Sequence, residues 1–145
     1  MRAINWQRVL LGGVVAAAVL WLLESAASFL YLDKMQWALR AHDLVIEPSR
    51  WLAVASVLIA LLTGLTMMFI YAAVRPRLGP GPRTATLVAC VLWLGGYVPS
   101  LLSYDMIRIY PREILLQWGL VGLLEMIIAS TVAAWLYREP SPADS

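Results

Sequence analysis

Four long apolar stretches constrain this chain more than any other feature. They cover approximately residues 9–32, 51–74, 84–104 and 114–137, and each is apolar on nearly every side. A helix needs about 20 apolar residues to cross a bilayer, whereas strands of a membrane barrel alternate over segments of about ten residues. Because backbone groups in lipid must be satisfied within the segment, we expect these stretches to be helices. The sequence therefore predicts an all-α integral membrane protein built as a four-helix bundle.

The overall composition agrees with this class. Hydrophobic residues make up 61% of the 145 residues and charged residues only 14%, against about a quarter charged in soluble domains. The net charge of +2 comes from short clusters between the apolar stretches, without the basic stripe typical of nucleic-acid binding. The single Cys90 excludes a disulfide within the chain, and the single His42 lies outside any cluster of metal ligands. We therefore expect no nucleic-acid partner, metal, cofactor or enzymatic activity.

The arginines predict how the bundle is oriented, because positive residues accumulate on the cytoplasmic side of membrane proteins. The amino end carries arginines, the carboxyl end begins with one, and the link between the second and third spans holds three without an acid. The other two links mix both signs. We therefore expect a multi-pass protein of the cell inner membrane with both termini in the cytoplasm. The arginines that carry this prediction are Arg2, Arg8, Arg75, Arg77, Arg83 and Arg138.

The spans are predicted to form one domain, residues 1–138, followed by a short polar tail, residues 139–145, that we expect to be disordered. An alternative is that the first span is a secretory signal peptide, because basic residues precede an apolar run with small residues near its end. Its apolar character resumes directly after those small residues, and it is longer than a signal-peptide core of about 7–15 residues. Retention of the first span is the preferred interpretation.

The link between the second and third spans has the most specific composition. Residues 75–83, RPRLGPGPR, contain three prolines and two glycines, so we expect a tight turn through which no helix continues. Arg75, Arg77 and Arg83 would anchor the topology at this inner turn or bind lipid head groups. The longest link, residues 33–50, could form a separate short helix in the outer interface, ended by Glu47 and Pro48.

Two acids, Glu24 and Glu125, lie within the predicted spans. Each lies on a stripe of small residues spaced by three and four, and such stripes mark the packed faces of membrane helices. At 1.5 Å per residue, both acids fall at a similar depth near the bilayer centre. We therefore expect them to face the interior of the bundle. The four predicted stripes include Gly13, Ala17, Leu20, Glu24 and Ser28; Ala53, Val57, Ala60, Gly64, Met67 and Tyr71; Ala89, Trp93, Gly96, Ser100 and Ser103; and Trp118, Gly122, Glu125, Ala129 and Ala133.

No Lys, Arg or His lies within the four apolar stretches to pair with either acid. An ionised carboxylate at this depth would cost at least about 2–3 kcal/mol, so the neutral acid is the simplest state. Two interpretations remain open: a hydrogen-bonded pair that fixes which helices pack together, or a proton or cation relay in a small transporter. The hydroxyl groups available as hydrogen-bond partners are those of Ser25, Ser28, Thr63, Thr66, Tyr97, Ser100 and Ser103.

A resemblance rests on residues in the spans and the inner turn. Asn5, Trp6 and Arg8 lead into a glycine pair, YAAV continues into RPRLGPGP, and Trp118–Gly119 leads through Glu125 to WLYRE. In these features the chain resembles an uncharacterised family of small four-helix bacterial inner-membrane proteins with an RPRxGPGP inner turn. The resemblance implies the fold and the membrane, and it implies no activity or ligand. A weaker similarity to small multidrug transporters is limited to the glutamate of the first span.

The size of the chain bears on its partners. Four helices enclose little space beyond their own side chains, so a transport pathway would require a second copy or another membrane protein. Seams of Gly and Ala could serve that association. The lipid bilayer is the partner that the sequence predicts directly.

Overall fold

The computed structural model describes residues 4–137. Over this part of the chain it contains only helices, and four helical spans are long and apolar enough to cross a membrane. The prediction of an all-α four-helix bundle is therefore confirmed. Arg2, Arg138 and the tail of residues 139–145 lie outside the described residues. The elements are α1 (Trp6–Arg40), α2 (Arg50–Leu78), α3 (Pro82–Leu92), a π-helical turn (Trp93–Tyr97), α4 (Val98–Ile107) and α5 (Arg112–Leu136).

The helices form a ring in which α1 packs on α2 and α5, while the third span (Pro82–Ile107) packs on α5 and α2. The core consists largely of small and flexible side chains from these faces, including Ala16, Met67, Met68 and Ala129. Large apolar side chains point outward instead: Phe29 is 85% exposed and Trp135 is 74% exposed. This distribution is the reverse of a soluble bundle and suits a protein surrounded by lipid.

The closest helix contact joins α1 to α2 through glycines. A Cβ atom added at Gly64 would lie 2.6 Å from the backbone nitrogen of Ala17 and would also collide with the carbonyl oxygen of Gly13. A Cβ at Gly13 would lie 2.9 Å from the Cα of Leu65. Both glycines are buried, as predicted for the stripes of α1 and α2. The absence of these side chains lets the two backbones touch, which is the main source of attraction between helices in lipid. The α2 stripe is wrong at its outer end, where Ala53 and Val57 are exposed.

Helix α1 is longer than the predicted first span. It has 35 residues, which corresponds to about 52 Å at 1.5 Å per residue and exceeds a hydrocarbon layer of about 30 Å. The predicted short helix in the outer interface is therefore wrong, because residues 33–40 continue α1 and residues 44–49 form no helix. Helix formation continues because no glycine or proline lies between Gly13 and Arg40. The turn is made afterwards, where Asp43 adopts a left-handed φ of 57°.

The inner turn is shorter than predicted. Helix α2 runs through Pro76 to Leu78, so the expectation that no helix enters residues 75–83 is wrong. Proline lacks one backbone donor but has a helical φ, and near a helix end the loss affects a single hydrogen bond. The helical pattern resumes beyond it, where the N–H of Gly79 donates to the carbonyl of Arg75 at 2.9 Å. Pro82 then begins α3 at its first turn, where a missing N–H costs nothing.

Two hydroxyl groups and two left-handed glycines complete this turn. Gly79 and Gly81 have φ values of 81° and 121°, which side chains rarely tolerate. The N–H of Gly81 donates to the hydroxyl of Tyr71 at 3.1 Å, and the hydroxyl of Thr84 donates to the carbonyl of Gly79 at 2.8 Å. The end of α2 is thereby connected to the start of α3.

A π-helical turn changes the face that the third span presents to the bundle. The five residues Trp93–Tyr97, WLGGY, form this turn. Val98 and Pro99 follow it directly and begin α4. A π turn inserts an additional residue, so the following residues rotate by about 100° relative to a regular helix of 3.6 residues per turn. The predicted stripe of the third span is therefore wrong beyond Trp93, and Gly96, Ser100 and Ser103 are exposed. Tyr97 and Leu101 are half-buried in their place.

Candidate functional site

The candidate site is the pair of acids where α1 packs on α5. Glu125 is only 7% exposed, and Glu24 is half-buried on the facing helix. Their carboxyl groups lie close enough to interact through a hydrogen bond. The predicted stripe around Glu125 is also buried, since Gly122, Ala129 and Ala133 all pack inside the bundle. The two membrane acids, separated by most of the chain, thus meet at one contact between helices.

Tyr31 is the clearest hydrogen-bond partner of this pair. Its hydroxyl donates to Oε1 of Glu24, and its side chain is 2% exposed. Tyr31 was not assigned a role from the sequence. A signal was available, because residues seven apart lie on the same side of a helix after two turns, and tyrosine side chains in helices point back toward the preceding turns. The hydroxyl of Tyr31 can therefore reach back along α1 to the carboxyl group of Glu24.

Two buried polar atoms near the pair have no hydrogen-bond partner among residues 4–137. They are the Oε1 atom of Glu125 and the indole Nε1 atom of Trp118. An unsatisfied buried polar group costs about 1–3 kcal/mol, and such groups in native proteins usually have a function or an additional binding partner. Within the described part of the chain, neither acid pairs with Lys or Arg. The Oε1 atom of Glu125 is the acceptor that the site leaves unused, whereas the Trp118 indole lies close enough to the Tyr31 hydroxyl to interact with it.

Tyr97 approaches the pair from the third span. Its ring fills the space left by Gly122, where an added Cβ would lie 2.6 Å from Cζ of Tyr97. It is close enough to interact electrostatically with both Glu24 and Glu125. The π-helical turn directs this side chain inward and is itself held on α5, because the indole of Trp93 donates to the carbonyl of Gly119 at 2.9 Å. Sequence reasoning named Tyr97 as a partner, and the structure places it beside the acids.

Five of the other six predicted hydroxyl partners bond to carbonyls of their own helices. Ser28 donates to the carbonyl of Ser25 at 2.7 Å, Thr63 to the carbonyl of Ile59 at 2.8 Å, and Ser100 to the carbonyl of Gly96 at 2.9 Å. Hydroxyl groups in helices commonly make such bonds, because the carbonyl three or four residues earlier lies within reach. These three hydroxyls therefore do not contact the acid pair.

A layer of four aromatic rings covers the pair on its predicted outer side. Trp118 contacts all three tyrosines of this aromatic layer, with ring centroids 5.5 Å from Tyr31, 6.1 Å from Tyr104 and 5.7 Å from Tyr110. Tyr104 and Tyr110 also meet edge to face at 5.5 Å. Burial raises the pKa of the Tyr110 phenol above its ordinary value. Tilted, edge-to-face and offset-stacked rings at such distances stabilise one another.

The arginines of the inner turn lie far along the helices from the pair. Arg77 and Arg83 are exposed, whereas Arg75 is half-buried with its guanidinium 5.4 Å from the ring centroid of Tyr137. This distance is within the range of a cation–π contact. Arg75 therefore contributes to packing as well as to the charge of this end. No group of three or more potential metal ligands occurs among the described residues.

The chain was also compared with known proteins. Protein-family models, curated proteins and solved structures give no match to it. The resemblance drawn from the inner turn stays a prediction, and the geometry of the acid pair is the basis for any functional proposal.

Proposed function

We propose that this protein is a non-enzymatic structural or accessory membrane bundle whose two acids share a proton and thereby fix the pairing of α1 with α5. The observation that carries the proposal is the meeting of Glu24 and Glu125 beneath Tyr31. One protonated carboxyl can donate to the other, and the Tyr31 hydroxyl donates to the same pair. The hydrogen bonds of this cluster depend on direction, whereas the apolar contacts of the surrounding helix faces do not. The cluster can therefore specify that α1 pairs with α5.

Electrostatics support a shared proton. Two unit negative charges about 4 Å apart repel by about 4 kcal/mol at an effective dielectric constant of about 20. No described Lys or Arg pairs with the acids to offset this repulsion. Retaining one proton removes this repulsion and provides an O–H group that can donate a hydrogen bond to the other carboxylate. In membranes such bonds contribute about 0.6 kcal/mol on average and about 1.7 kcal/mol at most.

The experiment compares Glu125→Gln with Glu125→Leu in reversible unfolding of the purified protein. Glutamine resembles the neutral acid, so we expect its free energy of unfolding to stay within about 0.5 kcal/mol of the native value, whereas leucine should lose about 1–2 kcal/mol. Glu113→Gln is the matched control, because Glu113 is exposed on the same helix. Equal losses for Gln and Leu would contradict the shared-proton pair.

A pH series adds a second test of the same proposal. Removing the shared proton at alkaline pH should destabilise the native protein, because the two acids then repel. Glu125→Gln should show a flatter pH profile. Tyr31 and Tyr97 face the pair from α1 and the third span, so Tyr31→Phe and Tyr97→Phe controls establish that the acids cause the difference. Parallel profiles for the native and Gln proteins would count against the proposal.

The second candidate function is a proton- or cation-coupled small transporter that uses Glu24 and Glu125. The observation that favours it is the unpartnered Oε1 atom of Glu125, because intramembrane acids commonly mark ion pathways. Flux of protons or monovalent cations into liposomes distinguishes the two functions. A transporter would lose flux in Glu24→Gln or Glu125→Gln while remaining folded. A bundle without transport would show no flux above that of protein-free liposomes.

We also propose the cellular context that the arginines indicate: a bacterial inner membrane, both termini in the cytoplasm, and association with a second copy or with another membrane protein. Supporting this orientation, Arg77 and Arg83 are exposed at one end of the bundle. The orientation is tested in intact cells with a membrane-impermeant maleimide. The two variants carry Arg83→Cys or Asp43→Cys, each together with Cys90→Ser, so that each has a single cysteine. We expect modification at position 43 only, and modification at position 83 would reverse the orientation.

A further inference from the structure

A groove lies between α1 and α5 at the predicted outer end of the bundle, beyond the aromatic layer. Its volume is about 370 Å³, within the range of small-molecule sites. Asp33, Lys34 and Trp37 form one wall, and Glu113, Ile114 and Gln117 form much of the other. We call this the outer groove. None of its residues belongs to the acid pair, so an inference from it goes beyond the proposed function and does not depend on it.

The outer groove has three charged side chains that make no ion pair or hydrogen bond with another described residue. Asp33 and Glu113 are acidic and Lys34 is basic, and all three are exposed. By contrast, the neighbouring acid Asp105 is bound by Arg112 with a distance of 2.9 Å. Charges of both signs around an unfilled groove are complementary to a zwitterion, and their formal sum of −1 disfavours a net anion.

The position of the outer groove indicates which zwitterion is available. Asp33 directly follows the apolar stretch of the first span, and Trp37 is 69% exposed one turn further along α1. Exposed tryptophans at this level lie among lipid head groups. The apolar side chains of Trp37 and Ile114 can contact the upper part of an acyl chain, while the charged groups remain in the polar layer. A membrane lipid is therefore the zwitterion that fits the groove at this depth.

The first turn of α5 contributes to the same wall. Pro111 precedes this helix without a side-chain cap, and helix N-termini carry unsatisfied N–H groups that favour phosphate. Lys34 on the opposite wall offers a cation for the same phosphate. Asp33 and Glu113 remain to accept hydrogen bonds from an ammonium group, and such charge-assisted bonds are about twice as strong as neutral ones.

We propose that the outer groove binds the head group of an aminophospholipid, with the phosphate at Lys34 and the primary ammonium at Asp33 and Glu113. A primary ammonium has three N–H donors for these carboxylates, whereas a choline head group has none. A phosphatidylglycerol head group has no cation for the acids. The groove therefore selects phosphatidylethanolamine by hydrogen-bond donors as well as by charge.

Native mass spectrometry of the full chain in detergent tests this proposal. The probes are dioleoyl phosphatidylethanolamine, dioleoyl phosphatidylcholine, dioleoyl phosphatidylglycerol and soluble phosphoethanolamine. We expect the ethanolamine lipid to bind about tenfold more tightly than the choline lipid, as one additional charge-assisted hydrogen bond predicts. Asp33→Asn should reduce this preference to about twofold or less, whereas Lys34→Gln should weaken binding of both lipids alike, because both carry the phosphate. The matched control is Asp43→Asn, which changes an exposed acid in the adjacent link.

Each other outcome overturns the proposal in a recognisable way. Equal binding of the ethanolamine and choline lipids would exclude recognition of the primary ammonium. Preference for the glycerol lipid would mean that Lys34 dominates and that the acids do not contribute. Binding of phosphoethanolamine as tight as that of the lipid would assign the groove to a soluble ligand. An unchanged preference in Asp33→Asn, or unchanged binding of both lipids in Lys34→Gln, would place the lipid elsewhere. Loss of stability in Glu125→Leu tests the acid pair separately.

Discussion

The contact between α1 and α2 makes a quantitative prediction about Gly64. Replacing it with alanine adds a Cβ that would lie 2.6 Å from the nitrogen of Ala17, where an ordinary contact is at least 3.4 Å. The obstructing atoms belong to a helix backbone and cannot rotate away. The two helices must therefore separate by about 0.8 Å at their crossing, a gap that forfeits a quarter to a half of each dispersion contact.

The resulting loss can be estimated from the number of contacts. If on the order of 20 atom pairs of about 0.15 kcal/mol each weaken by that fraction, the loss is about 0.8–1.5 kcal/mol. Residual strain brings the expected destabilisation of Gly64→Ala to about 1–3 kcal/mol, the usual range for overpacked sites. Gly95→Ala is the matched control, because nothing lies within 4 Å of a Cβ there. Its expected effect is a gain of up to about 1 kcal/mol from helix propensity.

Reversible unfolding in bicelles or mixed micelles measures both free energies. Gly12→Ala provides an intermediate point, because the nearest atom to its Cβ is the flexible end of Met68 at 2.9 Å. We expect Gly95→Ala to have the highest free energy of unfolding, Gly12→Ala an intermediate one and Gly64→Ala the lowest. If Gly64→Ala and Gly95→Ala unfold with the same free energy, the backbone contact between α1 and α2 is not what holds these helices together.

Two hydrogen bonds between helices give further predictions. Ser130→Ala removes the buried bond from its hydroxyl to the carbonyl of Ala85 at 2.8 Å, and the free energy of unfolding should fall by about 0.6–1.7 kcal/mol. The control Ser100→Ala should change it little, because that hydroxyl bonds to its own helix; equal effects would show that the bond between helices contributes nothing. Trp93→Phe removes the hydrogen bond from the indole to the carbonyl of Gly119. We expect a similar decrease in the free energy of unfolding. The amide groups of the π-helical turn should also exchange hydrogen faster than in the native protein.

Much of the fold follows from hydrophobic patterning, because a bilayer imposes a length and an apolar surface on every span. The burial of Glu125, Gly122 and Ala133 also followed from their spacing on α5. The ends of α1 and α2 were harder to predict from the sequence. Polar residues can extend a helix beyond the membrane, as they do in α1, and a proline such as Pro76 can be accommodated near the end of a helix, as in α2. No local signal in the sequence distinguishes these outcomes from a turn.

The site was predictable only in part, for a related reason. The two acids were recognisable as unusual residues, and similar depth brought them together in the predicted bundle. The contribution of Tyr31 depends on the direction of its side chain along α1, and that of Tyr97 depends on the π-helical turn. One inserted residue changes which side chains of the third span face inward. Patterns that assume a regular helical period cannot anticipate that change.

The separation of Glu24 and Glu125 along the chain has a consequence for synthesis. The ribosome completes α1 well before α5, so Glu24 enters the bilayer without its eventual partner. A charged residue at the centre of an inserting helix adds about 2.5–3.5 kcal/mol, which the apolar neighbours, at about 0.3–0.6 kcal/mol each, can offset. Insertion of α1 is therefore possible alone but becomes more favourable when the last helix arrives. A chain truncated before α5 would leave Glu24 without its partner acid.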